Sequence, residues 1–83
     1  MSVFNVEVTD TFGGEANYAW VRRYEIEVDA KDSDLALMRR AKAIAGFNGV
    51  PGRTFNHGEC FEFRPYGACM VMFVTYKDNP HAD

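Results

Sequence analysis

Only one stretch of the chain, "DSDLALMRRAKAIAG" from Asp32 to Gly46, carries helical periodicity; the other apolar segments alternate at period two or run short between glycine, proline and asparagine. A lone helix has one apolar stripe to bury, and the partner that fits it is a sheet. Asp32 or Ser33 supplies the N-cap, acidic residues lie near the start, basic ones follow, and Gly46 stops the helix. Leu37, Met38, Ala41, Ile44 and Ala45 form the stripe, while Arg39, Arg40 and Lys42 project toward solvent.

The flanking segments read as strands. In "VFNVEVT", Phe4, Val6 and Val8 alternate with Asn5, Glu7 and Thr9. A loop from Asp10 to Asn17 follows, in which Gly13-Gly14 provides positive φ and Asp10 or Asn17 can bond nearby backbone. From Tyr18 to Val28, the side chains of Trp20, Tyr24, Ile26 and Val28 share one face, with Trp20 and Tyr24 as core-filling rings, and Arg23, Glu25 and Glu27 share the other. Arg22 breaks this alternation. Either a bulge near Val21–Arg23 re-aims it, or its stem lies flat on aromatic neighbours with its head in water.

After the helix, "FNGVPGRTFNHG" reads as an irregular connection with a short extended piece at Arg53–Asn56. "ECFEFR" and the run from Ala68 to Tyr76 form a second hairpin about Pro65-Tyr66-Gly67, and the tail "KDNPHAD" frays. The expectation is one small α+β domain over residues 1–83, a two-layer ββαββ arrangement whose four-stranded antiparallel sheet carries one helix on one face. In the last strand both faces are apolar: Met70, Met72 and Val74 on one side, Cys69, Val71 and Phe73 on the other. One helix covers one side only. The second is covered by the chain's own loops, by curling of the sheet, or by another molecule, which makes Cys69, Val71 and Phe73 candidates for self-association into a homodimer.

Several chemistries find no support. Twelve acidic against nine basic residues give a net charge of −3, so nothing draws the chain to nucleic acid. No apolar run reaches the roughly 20 residues of a membrane span, and "MSVFNVEV" is unlike a signal peptide, so a cytoplasmic protein with no membrane partner is expected. Cys60 and Cys69 are then thiols, with a bridge between them the lesser alternative. His57, Cys60, Cys69 and His81 lack the paired spacing of a zinc site. The acids Asp29, Asp32 and Asp34 are explained by helix capping, and Gly13-Gly14 lacks the lysine and strand-to-helix setting of a phosphate loop. With no catalytic signature, the expectation is a non-enzymatic protein without metal or cofactor.

The stretches "DTFGGEANYAWVRRY", Asp10 to Tyr24, and "GACMVMFVTY", Gly67 to Tyr76, resemble a group of short proteins encoded by tailed bacteriophages and prophages. The likeness spans roughly a third of the chain and brings no activity, cofactor or catalytic residue with it. It implies an accessory protein in the host cytoplasm that binds a bacterial protein, as an inhibitor of a defence system or of a host enzyme. Phe12, Glu15, Asn17, Tyr18, Arg22 and Arg23 are the candidate contact residues, because aromatic and arginine side chains beside a shaped loop are the types enriched at protein interfaces.

Overall fold

A computed structural model describes residues 2–29, 33–58 and 60–77. Five strands and one helix follow in the order β1 (Ser2–Phe12), β2 (Glu15–Val28), α1 (Asp34–Ala45), β3 (Gly52–Asn56), β4 (Cys60–Pro65) and β5 (Met70–Tyr76). All neighbours are antiparallel, and the sheet order is β2-β1-β5-β4-β3. The α+β class and the single helix on a sheet match the sequence pattern. The strand count does not: Gly52–Asn56 is a fifth strand, paired from Gly52↔Pro65 to Asn56↔Phe61, and occupies one border of the sheet. It contains the extended piece expected at Arg53–Asn56; its pairing with β4 is not legible in the sequence because the segment is short and carries little apolar alternation.

Antiparallel register sorts the faces, since directly opposed residues point the same way. Ile26, Phe4 and Tyr76 form one row, Tyr24, Val6, Val74 and Phe61 the next, and Arg22, Val8, Met72 and Phe63 a third. This face packs beneath α1, whose Leu37, Met38, Ala41 and Ala45 join Val6, Val8, Ile26, Phe63, Met72 and Val74 in one buried cluster. Removing each of the larger side chains from water stabilises the fold by about 1.5–3 kcal/mol. The helix starts at Ser33, whose hydroxyl accepts the Ala36 N–H at 3.2 Å, and ends at Gly46. Two residues of the helix depart from expectation. Ile44 is exposed, lying at the margin of the buried stripe. Lys42 folds inward over the Phe63 ring, 4.4 Å from its centroid, and its ammonium donates to the Val50 carbonyl at 3.1 Å, which ties the helix to the segment entering β3.

The first hairpin is tighter than its composition suggests. β1 continues to Phe12, which faces Glu15 across a two-residue turn, Gly13-Gly14, with φ of 63° and 87°. Positive φ at both central residues is the requirement of the turn that matches strand twist, and glycine meets it without strain. In the second hairpin β4 runs on through Pro65, and β5 begins at Met70 rather than Ala68.

The opposite face of the sheet carries Arg23, Glu7 and Glu62 but also Val71, Phe73 and Phe55. Thr9 and Val71, opposed in register, are both 0% exposed, yet they lie outside the cluster beneath the helix. The turn of the first hairpin is tied to the strands beside this row. Arg64 Nη1 donates to the Gly14 carbonyl at 2.6 Å and the Thr11 N–H to the Cys69 carbonyl at 3.0 Å, drawing the tip toward β4 and β5. Val71 is thus buried within the chain itself, without a second molecule.

Candidate functional site

The sheet is interrupted once, in the first hairpin. Thr9 pairs with Val21 and Thr11 with Ala16, so Asp10 alone stands opposite the four residues from Asn17 to Trp20. Four on one strand against one on the other makes an enlarged bulge. It lies N-terminal to the position expected for it, because Val21, Arg22 and Arg23 pair in unbroken register with Thr9, Val8 and Glu7. Arg22 takes the other course open to it and lies over the Trp20 ring, its guanidinium carbon 5.2 Å from the centroid.

Two adjacent residues of β1 hold the bulge. The buried Thr9 hydroxyl donates to the Trp20 carbonyl and accepts the Tyr18 N–H, both at 3.0 Å. The Asp10 carboxylate accepts from Asn17 Nδ2 at 2.8 Å and from the Ala19 N–H at 2.9 Å. Donation from Asn17, assisted by the backbone N–H of Ala19, holds the Asp10 carboxyl below the usual carboxylate range, against an opposing push from desolvation. Clamped in this way, Tyr18 adopts φ of 58°, the one non-glycine residue with positive φ among the described residues. For an aromatic side chain this left-handed backbone costs about 1–2 kcal/mol and persists only where surrounding bonds impose it.

The consequence is a presented surface. Phe12 is 80% exposed at the turn and Tyr18 is 54% exposed on the bulge, with Trp20 only partly covered by Arg22 beside them. Trp20 is therefore a surface ring and not part of the core assigned to it, whereas Tyr24 does pack against the core from its edge. Phe12, Glu15, Asn17 and Tyr18 all sit at the hairpin end, and Arg22 joins them through Trp20. Arg23 belongs to the opposite face, where its Nε donates to Glu7 at 3.1 Å. Trp20 was not among the candidate contacts; its exposure follows from the bulge, which the residue pattern does not reveal.

The self-association surface is altered more deeply. Val71 is buried, Phe73 is half-buried with Glu7 and Glu62 opposite it on its two neighbours, and Cys69 is exposed in the turn before β5. These three do not make a continuous exposed apolar patch. Cys60 pairs with Thr75, six positions along β5 from Cys69, which places the thiols about 20 Å apart and beyond disulfide reach.

A second polar cluster lies on β3 and β4. Glu62 accepts from Arg64 Nε and is bonded to His57 Nε2 at 3.0 Å, while His57 stacks on Phe55 at 6.3 Å. Burial pushes the Glu62 carboxyl up, but bonds and charge from Arg64 and His57 outweigh it and hold the group below its ordinary range. Because Arg64 also reaches Gly14, this cluster buttresses the hairpin tip. A groove of about 300 Å³ between α1 and β3 is lined by Leu35, Met38, Arg39, Lys42, Asn48 and Thr54, with no carboxylate, imidazole or thiol on its walls to form an acid–base or nucleophilic pair. Among the described residues no three of His, Cys, Asp and Glu cluster to hold a metal; His81 lies outside them. None of the described helices is long and apolar enough to cross a membrane. No family model, curated protein or solved structure matches the chain.

Proposed function

We propose that the protein is a non-enzymatic binding module whose contact surface is the bulged tip of the first hairpin, with Phe12, Tyr18 and Trp20 as apolar anchors and Glu15, Asn17 and Arg22 as polar neighbours. The observation that carries this reading is Tyr18: a bulky residue in left-handed backbone, imposed by the Thr9 and Asp10 bonds, with more than half of its surface in solvent. Strain of this kind persists only where the surrounding bonds impose it, and its outcome is an exposed ring at the same end of the hairpin as the exposed Phe12 and Trp20. Tyrosine, tryptophan and arginine supply large contact area with few rotatable bonds, which is why they dominate binding hot spots. The resemblance of Asp10–Tyr24 to tailed-phage proteins directs the search for the occupant to a protein of a bacterial host, with inhibition of a defence system or of a host enzyme as the biological outcome.

The decisive variant is Tyr18→Gly. Glycine adopts the same backbone without strain, so the gain offsets its extra chain entropy and stability stays within about 1 kcal/mol of wild type. Retrieval from a bacterial lysate with immobilised wild type should yield a saturable protein partner, and Tyr18→Gly or Phe12→Ala should lose it with the fold intact. Equal retrieval by wild type and both variants would remove the hairpin tip from the interface.

A further inference from the structure

Among the described residues β2 forms a border of the sheet, hydrogen-bonded to β1 on one side only. Natural proteins blunt such borders with bulges or shortness, since unpaired backbone groups template pairing with another strand. Here the bulge is confined to Asn17–Trp20, and from Val21 to Val28 the strand is long and in unbroken register with Thr9 to Ser2. A second copy can join this border about a two-fold axis perpendicular to the sheet, which makes the two strands antiparallel and keeps both helices on the same side. Such pairing is centred on one residue, and the centre fixes every opposed pair.

The charges choose the centre. On the outer face the strand carries Arg23, Glu25 and Glu27, and on the helix face Arg22, Tyr24, Ile26 and Val28. Centring on Arg22 or Arg23 sets that arginine against itself. Centring on Glu25 sets glutamate against glutamate, and centring on Ile26 opposes Glu25 and Glu27 twice. Centring on Tyr24 alone avoids every like-charge opposition: Arg23 faces the partner's Glu25, the reciprocal pair repeats it, and Arg22 faces the partner's Ile26. The side chains have capacity for this. Arg23 is 72% exposed and commits Nε to Glu7, while Glu25 is 57% exposed and accepts Lys77 on Oε2 at 2.6 Å, which leaves guanidinium Nη groups and a carboxylate oxygen for the cross-strand contact.

We infer that this chain pairs with a second copy of itself through β2, antiparallel and centred on Tyr24, to form a continuous ten-stranded sheet held in register by two reciprocal Arg23–Glu25 ion pairs. The junction takes Arg22 from the site proposed above but leaves Phe12 and Tyr18 outside it, and the test requires no other partner. Molar mass of the full chain is measured by light scattering over a micromolar concentration series at low salt, for wild type, Arg23→Glu, Glu25→Arg and the double exchange, with circular dichroism to establish that each is folded. Wild type should be dimeric. Each single exchange places two like-charge pairs across the junction and should weaken dimerisation about tenfold, and the double exchange should restore it. A cysteine at position 24 reads the register: with Cys60→Ser and Cys69→Ser, Tyr24→Cys should oxidise to a covalent dimer and Glu27→Cys should not, because only the former meets its own copy within disulfide range. A monomeric wild type throughout the series, a dimer indifferent to the single exchanges, or a dimer cross-linked as readily through position 27 would each overturn the inference.

Discussion

Thr9→Val tests the clamp on which the presented surface depends. Valine has nearly the shape of threonine and keeps both branches at Cβ, so packing at this fully buried position is conserved and the change isolates the hydroxyl. Two hydrogen bonds of 3.0 Å disappear, one to the Trp20 carbonyl and one from the Tyr18 N–H. At about 1 kcal/mol each the gross loss is about 2 kcal/mol. Should the bulge release in response, the left-handed strain at Tyr18 is recovered, and about 1 kcal/mol returns. The net cost therefore lies at about 1–2 kcal/mol, a fall in melting temperature of roughly 4–16 °C for a domain of this size. Thermal unfolding followed by circular dichroism measures it, and amide exchange locates it: the Tyr18 N–H should exchange faster while those of the central strands keep their relative protection. A change below about 0.5 kcal/mol with an unaltered Tyr18 amide would show that the left-handed conformation does not depend on Thr9.

Acid should act through Asp10. Its carboxyl is held below the ordinary range in the folded chain, so the unfolded chain binds more protons, and the stabilisation is present above the ordinary carboxylate value and drains as pH falls through the native one. Asp10→Asn should accordingly be less stable than wild type at neutral pH and converge on it as pH falls below the ordinary carboxylate value, and a gap in melting temperature that stays constant on acidification would refute the assignment. Gly52→Ala should detach β3, because a Cβ there would come within 2.7 Å of the Phe63 ring and closer still to the Arg64 carbonyl. Overpacking of this kind costs about 1–3 kcal/mol, and exchange data showing β3 as protected as before would count against the tight approach.

Periodicity made the helix, its cap at Ser33, its stop at Gly46 and the two long first strands legible, because each is set by local spacing. Of the fifth strand an extended piece at Arg53–Asn56 was legible but its place in the sheet was not, since Arg53, Thr54 and Asn56 carry no apolar alternation and β4 supplies the pairing. The bulge was legible in its ingredients and not in its place. Arg22 announced a break in alternation, and Asp10 and Asn17 announced local bonding, but the position followed from Thr9, whose hydroxyl engages residues 9 and 11 positions further on. Trp20 illustrates the same limit: alternation puts it on the helix-side face, yet it stays outside the cluster packed with α1, and Arg22 lies over the ring instead. Coverage depends on how far a second layer reaches, which no single strand records.

The bulge also separates the two surfaces carried by β2. By ending regular pairing at Val21, it leaves a straight border from Val21 to Val28 for a second copy and turns Tyr18 away at the adjoining end. In an antiparallel pair centred on Tyr24, each turn lies as far from the axis as Phe12 does from Val6, the β1 residue opposite Tyr24: six residues, about 20 Å, so the two hairpin tips point outward at opposite ends of the junction some 40 Å apart. Phe12 and Tyr18 lie beyond the paired segment, so both are available at once to a bivalent or repeating partner, for which the second contact is intramolecular and apparent affinity rises without any new side-chain interaction. Dimerisation through β2 and recognition through the tip therefore reinforce one another, and a charge exchange at Arg23 that leaves the tip unchanged should lower avidity for a multivalent surface while sparing affinity for a single isolated site.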